Sequence, residues 1–281
     1  MSIQSVVLLV FALSIAVPLR AHEFWLTPVT VPLIAGDSAR LTLRVGEYFE
    51  GELIGFSTSL TLDMRQFTTN GNTDLLTLLP QETPASALLV SFPSPGTHMV
   101  IYNSHSSIIN LSADTFHAYL HDEGLDFIKV QRIAAGIAGT PGRERYRRFV
   151  KTLVRVEPKP GAMSSQAVKP DTTYSTLTGQ RLEIIPINDP VAMLAGDILA
   201  VRVVFDGKPL KDALLKAWHR RGGQTLIIRA KTAADGSAAF DLPYTGPWMI
   251  SVVHMVPVFD VKDIDWDSLW SNLSFNLVGK P

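Results

Sequence analysis

Apolar and polar residues alternate along much of the chain with the period of two that is typical of half-buried strands. The segment 41–45, Leu-Thr-Leu-Arg-Val, is one example. Two apolar, β-prone runs follow at 88–92 and 98–103, separated by turn-forming proline and glycine. Beyond residue 180, short apolar runs recur between turn signals such as Asp206-Gly207. This pattern predicts strands over 198–205, 214–220, 225–231, 238–242, 248–255 and 273–278.

Between residues 114 and 151 the period changes to one that favours helices. Asp114 is expected to cap a helix over 115–120, and a second helix is expected after Gly124. The arginine-rich segment 142–151 predicts a third, short helix that turns its basic face to solvent. Binding of an anion by this segment is the alternative.

Together these elements predict a mainly β protein with two sandwich-like domains. Residues 22–155 would form an N-terminal β domain that ends in a short helical segment. Residues 156–179 are rich in Pro, Ser, Thr, Lys and Gly without hydrophobic period, so a linker or long loop is expected there. Residues 180–281 would form a C-terminal β-sandwich of the transthyretin or immunoglobulin kind.

The first residues have the pattern of a secretory signal peptide. An apolar run from Val6 to Val17 is too short to span a bilayer comfortably, and Pro18 breaks it before a small residue at Ala21. The pattern predicts a signal peptide over 1–21, cleavage after Ala21, and a periplasmic protein that begins at His22. No second apolar stretch reaches membrane-spanning length, so no stable membrane span is expected after cleavage.

The composition of the chain limits the partners and the metal ligands that can be expected. A formal net charge of −1 argues against a nucleic-acid partner held by broad electrostatic attraction. Cysteine is absent, so any bound metal must be held by His, carboxylate, Met or backbone groups. The sequence contains no phosphate-binding glycine loop, nucleophile elbow or HExxH helix. The seven histidines are therefore the main candidates for a catalytic or metal-binding role.

His22 is the leading candidate metal ligand. Cleavage after Ala21 would give it a free α-amine, with a reference pKa of about 7.7–8, beside its own imidazole. The amine and Nδ1 can chelate one ion, and such nitrogen ligands suit Cu(II), Ni(II) and Co(II). His254 is the expected second imidazole, at the rim of a strand whose core face carries Trp248. His98 is the next candidate, and Glu23 could add a carboxylate.

Other titratable residues are expected to be structural or solvated. His117 and His121 share the i, i+4 spacing of one helix face, which arises easily by chance. His219 is expected to be exposed in a turn region. The adjacent acids Asp122 and Glu123 are expected to be solvated rather than catalytic, because acid–base catalysis needs a shaped, partly dry pocket.

An ordered set of landmarks resembles the domain-of-unknown-function family 4198, whose members are often labelled periplasmic components of cobalt or nickel transport systems. The resemblance implies a periplasmic, mainly β protein linked to metal uptake, and His22 and His254 match its pattern. The landmarks cover nearly the whole chain after residue 21: His22 to Pro28, Gly36-Asp37, Val45-Gly46-Glu47, Phe116, Tyr119-Leu120, Glu123 to Asp126, Gly142-Arg143-Glu144, Tyr146, Gly196-Asp197, Asp206 to Leu210, Gly246, Trp248, His254-Met255, Asp265-Trp266, Ser268 and Trp270.

Three functional hypotheses follow. The first is a non-enzymatic protein that binds a transition metal ion, Ni, Co or Cu, and delivers it to a membrane metal transporter. The second is a copper oxidase or oxygenase that uses the His22 amine and ring as a histidine brace. The third is an envelope protein that recognises another protein or a glycan and binds no metal.

Overall fold

The computed structural model describes residues 22–161, 170–259 and 261–278. Strands account for 53% of the described residues and helices for 10%, which confirms a mainly β protein. The predicted signal peptide and part of the predicted linker lie outside the described residues. Within the described part, no helix is both long enough and apolar enough to cross a membrane.

The first half combines short strands with two helices. The helices are α1, Ala113–Asp122, and α2, Asp126–Ala134, and a 3₁₀ turn covers Leu76–Leu78. The strands are β1 Glu23–Leu26, β2 Leu33–Ile34, β3 Asp37–Leu41, β4 Leu43–Glu47, β5 Glu50–Ile54, β6 Thr61–Thr68, β7 Gly71–Asp74, β8 Leu88–Phe92, β9 Gly96–Ser104, β10 Ser107–Leu111 and β11 Gly142–Glu157.

The second half contains strands and one 3₁₀ turn, Thr173–Ser175, within the described residues. The six strands predicted there from sequence are present. Five have ends within two residues of the prediction, whereas the last begins at Trp266, seven residues before its predicted start, and β12 and β14 were not predicted. The strands of this half are β12 Leu182–Pro186, β13 Ile198–Phe205, β14 Lys208–Pro209, β15 Leu214–Arg221, β16 Gln224–Lys231, β17 Ser237–Asp241, β18 Gly246–Pro257 and β19 Trp266–Leu277.

A ten-stranded sheet is the centre of the molecule. Its main path runs β16-β15-β18-β19-β11-β9-β6-β7, and β10 and β2 also pair with β11. Strands β11 and β19 are parallel neighbours, with Arg148 opposite Trp270. The sheet thus joins strands from both sides of the segment predicted to be a linker, so the two predicted domains share one sheet.

Each face of this sheet is covered by a different layer, because side chains of successive strand residues point to opposite faces. One face carries Leu215, Ile250 and Leu273, which pack with β12 and β13 in the largest apolar cluster. The other face carries Lys216, Ser251 and Asn272, which are cross-strand neighbours. Strand β1 and helix α1 lie over this second face, and the candidate site lies among them.

Two local predictions were wrong. Residues 142–151 form the start of strand β11 rather than a helix. Arginine and glutamate favour helices in isolation, but pairing of this segment with β10 and β19 overrides that weak preference. The cap of α1 is Ser112, whose hydroxyl accepts from the backbone N–H of Thr115, and Asp114 lies inside the first turn.

Candidate functional site

Three polar side chains of the central sheet hold strand β1 by its backbone carbonyls. Arg148 Nη1 donates to the carbonyl of His22 at 2.9 Å, and Asn272 Nδ2 donates to that of Phe24. Ser274 Oγ donates to the carbonyl of Leu26 at 2.7 Å. These alternate carbonyls point the same way along a strand, so the contacts fix the position of the chain from residue 22 onward.

Glu23 is buried where β1 crosses the sheet. Its Oε1 accepts a 2.8 Å hydrogen bond from Ser251 Oγ, and Trp218 Nε1 donates to the same hydroxyl oxygen at 2.9 Å. Burial, with added repulsion from Glu123, raises the pKa of Glu23 to about 7. This carboxyl therefore exchanges its proton near neutral pH instead of staying ionised.

Glu123 approaches from the opposite wall, at the C-terminal end of α1. Its Oε1 lies 2.7 Å from Lys216 Nζ, and both side chains are almost fully buried. Desolvation raises its pKa, and the Lys216 ammonium partly offsets that effect. Gly124 follows with φ of 70°, and a Cβ there would lie 2.6 Å from Leu214 Cβ. The tight turn that brings Glu123 against β15 therefore favours glycine.

A cavity of about 370 Å³ lies between these two walls. It is bounded by β1, the β4–β5 turn, α1 and the β15–β16 hairpin. Its lining includes the acids Glu23 and Glu123, the ammonium of Lys216 and the aromatic side chains of Tyr48, Tyr119 and Trp218. Cavities of this size are typical of sites for small ligands.

The β4–β5 turn at the cavity is strained. Tyr48 and Phe49 have φ of 55° and 57°, a left-handed conformation that costs non-glycine residues about 1–3 kcal/mol each. Docking against the β15–β16 hairpin offsets this strain. Thr225 Oγ1 donates to the carbonyl of Tyr48 at 2.6 Å, and Glu50 pairs with Arg220 at 2.6 Å. The turn thereby holds the Tyr48 side chain at the cavity wall.

A third buried acid, Glu144, lies behind the cavity. Glu144 Oε1 accepts a hydrogen bond from Ser268 Oγ, whereas its Oε2 has no hydrogen-bond partner among the described residues. Burial raises the pKa of Glu144 to about 7. Burial, Glu144 and Glu123 together raise the pKa of Tyr119, whose ring stacks on Trp270 with centroids 5.6 Å apart. The cavity therefore adjoins a buried polar cluster of Glu144, Ser268 and Tyr119, in which Glu144 Oε2 lacks a hydrogen bond to any described residue.

Of the predicted ligands, the structure places Glu23 in the wall of the cavity. His22 precedes it in the chain and is held through its carbonyl by Arg148, but it does not line the cavity, and His254 is not brought there either. Ser251, which binds Glu23, and His254 are three residues apart in β18, so their side chains point to opposite faces. The His254 ring packs on Phe205, with centroids 4.6 Å apart, and burial lowers its pKa to about 4. The predicted core-side orientation of His254 was right, but β1 lies over the other face.

His98 is fully buried, and both of its ring nitrogens are engaged. Nε2 lies 2.8 Å from the carbonyl of Ser94 and Nδ1 lies 3.1 Å from Gln66 Nε2. Since a carbonyl only accepts, the proton is on Nε2, and Nδ1 accepts from the amide. A metal ion would have to displace one of these bonds. Across the described ranges, no three His, Asp or Glu side chains lie close enough together to hold a metal ion.

Other predictions about titratable groups need correction. Glu123, expected to be solvated, is 8% exposed and lines the cavity. His219, expected to be exposed, is 2% exposed and stacks on Trp248. Sequence reasoning missed Lys216 altogether, although a lysine on an otherwise apolar strand face could have drawn attention to it.

Several landmarks of the sequence resemblance meet at this cavity or directly behind it, although they are scattered along the chain. They are Glu23, Gly46, Glu47, Tyr119, Glu123, Glu144, Ser268 and Trp270. Fold and site therefore define a mainly β protein with a carboxylate-lined cavity. The profile of the family described as Domain of unknown function (DUF4198) matches residues 19–256, and the chain belongs to this family.

Other comparisons are distant. No curated protein matches the sequence. A structure of three N-terminal domains of the Highly Immunogenic Outer Capsid protein of bacteriophage RB49 is 13% identical, with a TM-score of 0.18, over 91% of this chain and 59% of that one. Escherichia coli alpha-2-macroglobulin activated by porcine elastase is 14% identical, with a TM-score of 0.18, over 89% and 21%. The chain thus spans under two thirds of both proteins, and such TM-scores do not indicate a shared fold.

Proposed function

We propose that this protein is a periplasmic binding protein for a divalent transition metal ion, Ni, Co or Cu, which it takes up at the carboxylate-lined cavity and passes to a membrane metal transporter. One observation carries the proposal. Glu23, the residue directly after the predicted mature N-terminus, meets Glu123 in the wall of one cavity. Two buried acids that repel each other form a site that a cation would stabilise.

The electrostatics of the cavity support a cationic ligand. Four acids line it, Glu23, Glu47, Asp122 and Glu123, against the two bases Lys216 and Arg229. A bound cation would replace the protons that burial favours on Glu23 and Glu123, so that metal uptake releases protons. Capture would therefore weaken as the pH falls.

The ligand set needs more than these two carboxylates. The described His, Asp and Glu side chains, that of His22 among them, form no three-ligand group, so the site would depend on the free α-amine that cleavage after Ala21 would create at residue 22. A free His22 amine and imidazole would add two nitrogens to the carboxylates of Glu23 and Glu123, a mixed set that suits Ni(II), Co(II) and Cu(II). The Arg148 contact to the His22 carbonyl would limit fraying of this terminus.

The test begins with protein exported by its native route, whose intact mass gives the mature N-terminus. Ni, Co and Cu are then titrated by calorimetry against wild type and the variants His22→Ala, Glu23→Gln and Glu123→Gln. We expect stoichiometric binding in wild type and about tenfold or greater losses of affinity in each variant, because each removes one proposed ligand. His254→Asn is the matched control, since His254 lies on the opposite face, and its affinity should not change.

Three results would reject the proposal. A mature terminus elsewhere than residue 22 would remove the chelating amine. Equal affinities in wild type and all three ligand variants would place any bound metal elsewhere. Purified protein that binds none of the three metals would favour a metal-free envelope interaction. Bound copper that cycles with a reductant and consumes oxygen would instead favour the oxidase hypothesis.

A further inference from the structure

We infer that the cavity also binds a small organic amine, whose ammonium group is carried by an apolar body of aryl or alkyl type. This inference goes beyond the proposed metal function and does not rest on it, because it needs neither a metal ion nor residue 22. It follows from three features of the cavity wall, namely an acid with one oxygen left without a donor, an excess of buried negative charge, and buried aromatic rings.

One oxygen of the Glu23 carboxyl group is left for a ligand. Glu23 is 6% exposed and lines the cavity. Its Oε1 accepts from Ser251 Oγ at 2.8 Å, whereas no described residue donates a hydrogen bond to its Oε2. A buried polar atom without a partner is unfavourable, so a ligand that donates to Oε2 is stabilised there. An ammonium group has three N–H donors and no acceptor, and so meets this need.

The buried charges around Glu23 do not balance. Glu23 and Glu123 are buried carboxyl groups, whereas Lys216 is the buried base of the described lining, and its Nζ lies 2.7 Å from Glu123 Oε1. A proton offsets this imbalance in the free cavity, because burial and repulsion from Glu123 raise the pKa of Glu23 to about 7. A ligand with one positive charge can take the place of that proton. An anionic ligand would add to the excess of negative charge.

The aromatic wall suits the rest of such a ligand. Trp218 and Tyr119 are buried and line the cavity together with Ala118 and Ile227. The Lys216 ammonium lies 5.6 Å from the centroid of the Trp218 ring, so the chain already places one ammonium between an indole and a carboxylate here. Ammonium groups are attracted to aromatic faces, and most strongly to indole. An aryl or alkyl body gains further from burial against these apolar side chains.

The acid and the indole are held next to each other. Ser251 Oγ donates to Glu23 Oε1, and the same oxygen accepts from Trp218 Nε1 at 2.9 Å. The cavity of about 370 Å³ is near the lower end of the range of about 300–1,000 Å³ found for sites of small organic ligands. Its size therefore favours a compact amine over a long-chain one.

The experiment measures binding to exported wild-type protein by calorimetry in a buffer that contains EDTA, so that no metal ion takes part. The probes are phenethylamine, 2-phenylethanol and 3-phenylpropionate, which share an aryl body and differ in charge. At about pH 8, where Glu23 is ionised, we expect saturable binding of phenethylamine. The neutral alcohol should bind about tenfold or more weakly, because it lacks the charge-assisted hydrogen bond, and the anion should not bind.

Two pairs of variants locate the site, with the fold of each checked by circular dichroism. Glu23→Gln should lose about tenfold or more in affinity for phenethylamine, whereas Glu157→Gln, at an exposed glutamate outside the cavity lining, should not. Ala118→Trp places a large side chain in the cavity from an exposed position on α1 and should lose at least as much. His121→Trp, at an exposed position on the same helix that does not line the cavity, is the control.

The outcomes separate this inference from the proposed function. Equal affinities for phenethylamine and 2-phenylethanol would show that the cavity does not recognise the charge and would overturn the inference. Unchanged affinity in Glu23→Gln or in Ala118→Trp would place the amine elsewhere and overturn it as well. Absence of phenethylamine binding would overturn the inference alone, since nickel binding is measured separately. Phenethylamine binding by a protein that takes up none of the three metals would support the inference and reject the proposed function.

Discussion

Glu23 and Ser251 are joined by a 2.8 Å hydrogen bond, although 228 residues separate them in sequence. The bond fixes the second residue of the predicted mature chain to the middle of strand β18. A carboxylate near a chain terminus would ordinarily be solvated. Here the central sheet buries it beside a cavity, and this placement makes the start of the chain part of the candidate site.

Glu144 gives a prediction about pH. Its pKa is raised to about 7 from 4.5, so the folded protein holds this proton more tightly than the unfolded chain. The resulting stability is present below about pH 4.5 and is lost as the pH rises to about 7. Removing the ionisation with Glu144→Gln should raise the free energy of unfolding at pH 8 by on the order of 3 kcal/mol and change it little near pH 4.

Urea unfolding of wild type and Glu144→Gln in a metal chelator, measured from pH 4 to 8, checks this prediction. Arg148 and Tyr119 are the titratable groups that act on Glu144. Burial raises the pKa of Tyr119, and a guanidinium is not deprotonated in proteins, so neither group titrates over this range. A stability difference that is constant with pH would show that Glu144 does not take up its proton near neutrality.

The side-chain hydrogen bonds to the carbonyls of residues 22, 24 and 26 predict different effects for two serines of β19. Ser274 Oγ donates to the carbonyl of Leu26, whereas the equally buried Ser271 Oγ has no hydrogen-bond partner among the described residues. Ser274→Ala leaves a buried carbonyl short of a donor and should lower the free energy of unfolding by about 1–3 kcal/mol. Ser271→Ala removes no bond and should be neutral or slightly stabilising.

Thermal unfolding of the two variants measures the difference, and hydrogen exchange locates it. Amides of residues 23–26 should exchange faster in Ser274→Ala than in Ser271→Ala, because only the first change loosens β1. Equal exchange at β1 in the two variants would mean that the strand is held by its apolar contacts alone.

The strands were predictable from sequence because their signals are local. Residues 88–92 and 198–205 form β8 and β13 with the predicted ends. The Asp206-Gly207 turn also formed, with φ of 47° and 77° that match a tight hairpin. Alternation and turn residues determine such elements without reference to distant parts of the chain.

The site was harder to predict because it depends on distant partners. Glu123 is buried only because Lys216, on another strand, pairs with it. The start of β11 was predicted to be a helix from its local residue pattern. Its arginines instead pair with acids far along the sequence, as Arg145 does with Asp267 at 2.6 Å, and local pattern does not reveal such partners. His254 was assigned to the correct face of its strand, but local pattern could not tell which face β1 would cover.

A buried ion pair gives a prediction about the centre of the sheet. Lys151 and Glu183 are 0% and 1% exposed, and Lys151 Nζ lies 2.6 Å from Glu183 Oε1. Lys151→Met would leave the glutamate buried without its counter-ion and should destabilise the fold by about 3–5 kcal/mol. Adding Glu183→Gln should recover part of that loss, because the amide oxygen can still accept from Thr178.

Arg181→Gln is the matched control for the ion pair. Arg181 binds Asp206 at 2.8 Å, but the two side chains are 40% and 46% exposed. Water screens such a pair, so its loss should lower the free energy of unfolding by less than about 1 kcal/mol. Chemical denaturation of the variants ranks the two pairs, and a Lys151→Met protein as stable as Arg181→Gln would contradict the prediction.

The close contact between Gly142 and helix α1 gives a prediction about the packing of α1 beside the cavity. A Cβ at this position would lie 2.3 Å from the Phe116 ring, and Phe116 is fully buried in α1. Gly142→Ala must therefore move the helix or its ring and should lower the free energy of unfolding by about 1–3 kcal/mol. Gly139→Ala is the control, because a Cβ there meets no atom within 4 Å and φ is not left-handed.

The same change should affect the cavity. Since α1 carries Tyr119 and leads into Glu123, which both line the cavity, a displaced α1 in Gly142→Ala should also weaken nickel binding, whereas Gly139→Ala should not. Urea unfolding and nickel calorimetry on both variants test this, and equal behaviour of the two would separate the packing of α1 from the geometry of the cavity.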